Sequence, residues 1–196
     1  MMLNIKLSVL IYFILFPISV IGQTIGSDNS TLLSQDHGLI FEKESHKLLA
    51  DSSYISTIQL TKLSGEAHGM QFRLLFNKDA EDSTILIFKE IQKGADLSDP
   101  SWLLDFNVIK GEILKNGASQ DEVFIVVYNL DQGGGLLPGE YNNLFTVKYK
   151  IASLADSEKN IKSSIKIAHA QASTFDGFAI DIAPSRDELK ITVKRK

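Results

Sequence analysis

The sequence predicts an all-β domain, a sandwich or a barrel. From about Gly38 onward it is a succession of short runs rich in β-branched and aromatic residues. The runs recur at regular spacing between clusters of Gly, Pro, Asn and Asp, and they number about nine or ten. Little of the chain shows the 3.6-residue periodicity of an amphipathic helix.

The first element is a leader. Residues 1–22 hold one charged side chain, Lys6, then an apolar run over residues 7–21 that closes on Val20-Ile21-Gly22. Positive start, apolar centre and small residue before the cut are the order of a secretory signal peptide. Pro17 and Ser19 interrupt the run, and a membrane span needs about 20 apolar residues. Residues 23–37 are mostly Ser, Asp, Asn, Gln, Thr and Gly, too polar to pack, and read as a flexible arm. The folded domain is expected over residues 38–196, a length suited to one core.

Leu39-Ile40-Phe41 opens the domain. Residues 54–63 alternate, with Tyr54, Ser56, Ile58 and Leu60 on one face and Ile55, Thr57, Gln59 and Thr61 on the other. In residues 70–76, Met70, Phe72, Leu74 and Phe76 share one face, while Gln71 and Arg73 point the opposite way. Asn77 and its neighbours close that strand with turn chemistry, and the compact run 85–88 has the pattern of a strand buried on both faces. Residues 102–109 follow the turn at Asp99-Pro100. Asn116-Gly117 is a type I′ hairpin signal, leading into Val123-Phe124-Ile125-Val126-Val127-Tyr128, the most β-rich segment. After the permissive loop of Gly133, Gly134 and Gly135 come three further runs. Residues 144–151 set Phe145, Val147 and Tyr149 against Thr146, Lys148 and Lys150. Residues 165–168 repeat the alternation, and residues 189–193 form the last run after the Asp176-Gly177 turn and residues 179–182.

Composition removes whole classes of function. A net charge of −4 grows more negative once Lys6 is lost with the leader, which disfavours nucleic acid as a partner. Zero cysteines exclude disulfides, thiolate metal sites, a Cys nucleophile and a lipid-modified cysteine. An exported chain of this size without cysteines suggests a bacterial product held by its core alone. His37, His46, His68 and His169 have no ligand spacing, so no metal or other cofactor is expected. The glycine triplet lacks the following Lys and Ser/Thr of a phosphate loop and reads as a mobile connection. Asp79, Glu81 and Asp82 form one polar turn, without a facing acid for glycoside cleavage. No nucleophile elbow or zinc-protease motif is present, and the chain is expected not to be an enzyme.

The order of segments resembles the cohesin family, the β-sandwich modules of bacterial extracellular scaffolds that capture dockerin modules. The stretch Gly69-Met70-Gln71-Phe72-Arg73-Leu74-Leu75-Phe76-Asn77 is similar to the family's third strand. Residues 123–131, Gly139-Glu140 and residues 144–150 follow its sixth and seventh strands, and residues 165–172 with Asp176-Gly177 and Ala179-Ile180 its closing hairpin. The resemblance implies a nine-stranded antiparallel β-sandwich with jelly-roll topology behind a signal-peptide helix. It also implies a secreted binding module, extracellular or else periplasmic or surface-attached, with no membrane span after signal cleavage. Its partner would be a dockerin-like protein module met by Gln71, Arg73, Asp131 and Gly133. Leu130 stands where well-known members carry an acidic residue, and no calcium loop of a dockerin is present. Two other classes stay open: a polysaccharide-binding module stacking sugars on Tyr141 or Trp102, and a structural subunit of a surface assembly. Among the aromatics, Trp102 and Tyr128 sit in apolar runs and are expected in the core, and Tyr141 is expected to be exposed.

Overall fold

A computed structural model describes residues 38–49, 52–77, 86–111, 120–152, 161–182 and 188–194. The expected leader and arm, the Asn116-Gly117 turn and the acids Asp79, Glu81 and Asp82 lie outside these residues. Among the described residues there are eleven strands: β1 (Leu39–Phe41), β2 (Ser45–Leu49), β3 (Ser53–Leu63), β4 (Gly69–Phe76), β5 (Leu86–Lys93), β6 (Trp102–Ile109), β7 (Glu122–Asn129), β8 (Gly139–Ile151), β9 (Ile161–Ser173), β10 (Ala179–Ile180) and β11 (Glu188–Lys194). They form a two-sheet β-sandwich. The smaller sheet runs β1-β3-β8-β5 and the larger β2-β11-β9-β4-β7-β6, with β10 paired to β9. No helix among the described residues is long and apolar enough to cross a membrane.

Alternation in the sequence sets the inner faces. Met70, Phe72, Leu74 and Phe76 of β4 point inward, as do Phe145, Val147 and Tyr149 of β8, and Phe72 meets Phe145 across the sandwich at 5.1 Å between ring centres. Each such side chain taken from water contributes about 1.5–3 kcal/mol, the dominant stabilising term in a domain without disulfides.

Two polar sites tie the sheets together. Asn77 leaves β4 with φ 58°, in the left-handed region that Asn tolerates. Its buried amide copies a strand partner: Nδ2 donates to the Leu86 carbonyl at 2.9 Å, and Oδ1 accepts from the Leu86 N–H at 3.1 Å and from the Ser163 hydroxyl at 2.9 Å. One side chain thus joins β4 and β9 of the larger sheet to β5 of the smaller. The second site is the Tyr149 hydroxyl, 3.2 Å from both Ser56 Oγ and His46 Nδ1, which ties β8 and β3 to β2.

Two expectations change. β2 has no clear pattern in the sequence, and it pairs parallel to β11, Ser45 opposite Lys190 through Leu49 opposite Lys194. The sandwich is therefore antiparallel except for this one pair. The chain crosses from β1 in one sheet to β2 in the other within three residues, and β2 arrives beside β11 running the same way. The run at 85–88 is not doubly buried either: β5 is an edge strand, with Ile87 and Phe88 only half-buried.

Candidate functional site

The outer face of β6-β7-β4-β9 spans four paired strands of the larger sheet. Register places its side chains in rows across the strands. Leu103, Tyr128 and Gly69 form one row; Asp105, Val126, Gln71 and Gln171 the next; then Asn107, Phe124, Arg73 and Ala168; and last Ile109, Glu122, Leu75 and Lys166. Phe124, Val126 and Tyr128 make a half-buried apolar strip along β7, flanked by polar groups on both neighbours.

Gln71 and Arg73 lie on this face, as the period of two requires. Gln71 Nε2 donates to Gln171 Oε1 at 3.2 Å. The Arg73 guanidinium lies 5.7 Å from the centre of the Phe124 ring, and Nη1 is 2.8 Å from Glu122 Oε1. That ion contact lacks hydrogen-bond alignment, is partly exposed and contributes about 0–1 kcal/mol. Its effect is positional: it keeps the guanidinium beside the aromatic ring of Phe124.

Asp131 and Gly133 lie off the sheet, in the loop beyond the Tyr128 end of β7. The Asp131 carboxylate accepts the Gly133 N–H at 3.1 Å, and its own N–H donates to Asn129 Oδ1 at 2.6 Å. Asn129 Nδ2 donates to the Gly134 carbonyl at 2.6 Å, and Leu136 exchanges backbone bonds with Ala67 at 2.8 and 2.9 Å. The glycine triplet is therefore a pinned turn instead of a loose connection. Gly135 lies close under two side chains: a Cβ there would stand 2.5 Å from His68 Nε2 and 2.7 Å from Glu66 Oε1, so one or both would have to shift. His68 in turn contacts Glu66 at 3.0 Å and stacks edge-on against Phe175 of the β9–β10 turn. Leu130 is exposed at the same end of the face.

β9 borders the face with a bulge. Gln71 pairs with Gln171 and Arg73 with Ala168, so His169 and Ala170 together oppose Phe72, and His169 takes φ 52°. Beside the bulge lies an open groove of about 570 Å³ lined by Gln71, His169, Gln171, Ile180 and Asp181.

Trp102 and Tyr141 do not stand together as an exposed pair. Trp102 is 2% exposed because its parity on β6 turns it into the core. Tyr141 is half-buried against the core rather than exposed, and its hydroxyl donates to the Leu137 carbonyl at 2.6 Å. Burial and nearby Asp96 raise the Tyr141 phenol above its ordinary value, against the Leu137 bond. Tyr128, expected inside, stands on the outer face, because β7 is apolar at both parities and only one is covered. Phe124, Val126 and Leu103 carry no separate site signal in the sequence. The available signal was the unbroken apolar run of β7 itself. Among the described residues, no group of three or more His, Asp or Glu is placed to hold a metal ion.

These features define a β-sandwich with an open outer face on its larger sheet, and the comparisons place that architecture. No family model matches the chain, and no curated protein matches it. Solved structures do, at low identity. A non-cellulosomal cohesin from the hyperthermophilic archaeon Archaeoglobus fulgidus superposes with a TM-score of 0.53 at 11% identity, over 81% of this chain and 91% of that one. The sixth cohesin of Acetivibrio cellulolyticus scaffoldin B, solved with a Cel5 dockerin, gives 0.55 at 12%, over 81% and 99%. A type I cohesin–dockerin complex from Clostridium thermocellum gives 0.54 at 14%, over 81% and 99%. The fold of this chain is cohesin-like.

Proposed function

We propose that the chain is a non-catalytic, exported protein-binding module of the cohesin kind, whose ligand docks on the outer face of β6-β7-β4-β9. The carrying observation is the apolar strip of Phe124, Val126 and Tyr128, set between Leu103 and Asp105 on one side and Gln71 and Arg73 on the other. An apolar centre within a polar rim is the anatomy of a protein interface. Two of the similar cohesins were solved with dockerins, which supports a dockerin-type module as the ligand class. The resemblance implies contact through Gln71 and Arg73, and both lie on this face. The Asp131–Gly133 turn would meet the ligand at the Tyr128 end.

Binding of dockerin modules to the immobilised chain, with secreted proteins as a second source of ligand, tests this reading. Tyr128→Glu and Arg73→Glu should each weaken capture by about 30-fold or more, the loss typical of a central contact. Ile55→Arg, on the exposed outer face of the smaller sheet, should leave it unchanged. Capture that survives both face substitutions, or that Ile55→Arg abolishes, would sink the assignment.

A further inference from the structure

Among the described residues four strands end the two sheets, and three carry features that discourage further pairing. β1 is three residues long, β2 is five with Lys47 in its centre, and β5 holds Lys89 and a register shift between Phe88 and Glu90. β6 has none of these. Its eight residues keep one register with β7, from Trp102 opposite Asn129 to Ile109 opposite Glu122, and contain no Pro, Gly, Lys or Arg. Leu103, Phe106 and Ile109 are 39%, 45% and 49% exposed along it.

The free hydrogen-bonding groups of this edge follow from parity. The Leu130 N–H donates to the Ser101 carbonyl, on the β6 side of β7, and the Asn129 N–H donates to the His68 carbonyl, on the β4 side. Successive residues point their backbone groups to opposite sides. Through the register, the odd-numbered residues of β6 therefore bond β7, and the N–H and C=O groups of Leu104, Phe106 and Val108 face outward. One end is already capped, since Lys93 Nζ donates to the Trp102 carbonyl at 2.5 Å.

The edge is also close to its own mirror in sequence. About Phe106, Asp105 is matched by Asn107, Leu104 by Val108 and Leu103 by Ile109. We propose that two copies of this chain pair antiparallel through β6, with the two-fold axis at Phe106. Leu104 then exchanges both backbone bonds with Val108 of the second copy, and Phe106 with its own counterpart. On the outer side Leu103 meets Ile109, and Asp105 meets the amide of Asn107. Charge and pattern select this register. Of the two neighbouring registers of the same parity, one sets Asp105 against itself and the other sets it against Ile109. Joined this way, the larger sheets become continuous and their outer faces lie side by side, both open.

Sedimentation equilibrium of the full chain over a wide concentration range, at low salt, tests the pairing. A monomer–dimer equilibrium is expected. Asn107→Lys sets a cation against Asp105 on both sides of the axis and should tighten the dimer. Asn107→Asp sets two acids together and should loosen it. Each change should shift the dissociation constant by about 2-fold to 30-fold, and both shifts should shrink at high salt. Phe106→Pro removes an outward N–H without touching the β6–β7 ladder and should leave a monomer. If that variant fails to fold, the two Asn107 variants still decide. A chain that stays monomeric at every concentration overturns the proposal, as does a dimer whose constant ignores both charge variants.

Discussion

Asn77 shows how much one residue holds. Its amide takes both backbone groups of Leu86 in a buried position, at a positive φ that most side chains resist. Asn77→Ala strands an N–H and a C=O away from water and should cost roughly 3 kcal/mol or more, read as a lower urea midpoint. Trp102→Ala should lower stability by about 3–5 kcal/mol, because the indole fills core volume; a stability unchanged within error would contradict its burial. His46 is held below its ordinary value of 6.5, first by burial and then by Lys43, against Glu42. A depressed imidazole contributes stability that is present above pH 6.5 and is lost as the pH falls through the folded-state value. Melting temperatures should therefore drop on acidification below that point, and His46→Gln should drop less. The Tyr149 phenol is raised, mainly by burial and also by Tyr54, against its bond to Ser56, so its contribution is present below pH 10.0 and fades as the pH rises through the raised value.

At the scale of elements, the two-residue period did most of the work. The inward sets of β3, β4 and β8 are readable directly, because each has one apolar and one polar parity. β7 is not, since Val123, Ile125 and Val127 alternate with the equally apolar Phe124, Val126 and Tyr128. Pattern cannot say which parity lacks a cover, and that ambiguity hid the strip at the centre of the candidate face. β2 was illegible for another reason: its partner β11 lies some 145 residues away in sequence, and a parallel pairing leaves no local turn signal. The glycine triplet has the composition of a slack linker, yet Asp131 and Asn129 hold its backbone. Gly135→Ala brings a methyl against the side-chain ends of His68 and Glu66, of which buried His68 has less room to move, and should destabilise the chain by about 1 kcal/mol. A melting curve coincident with the parent's would show that the turn has room to give.

For the whole molecule, sheet order converts these strands into a site. β4 and β7 are interior strands of the larger sheet, so Gln71 and Arg73, two residues apart on one strand, become part of a surface four strands wide. Replacing Val126, at its middle, by Arg should abolish ligand capture while leaving the far-ultraviolet spectrum of a β protein intact, because the side chain points away from the core. Sequence by itself determined the all-β class, most strand positions, the inward faces of β3, β4 and β8, and the placement of Gln71 and Arg73 opposite that core. These are local properties, set by alternation and turn chemistry within a few residues. Only the tertiary structure decided that Trp102 is buried and Tyr128 is not, that Asp131 serves its own turn, and that β6 ends the larger sheet among the described residues. Each of those depends on which strand lies alongside, and pairing partners are chosen by packing across the whole chain, where no short stretch of sequence records the outcome.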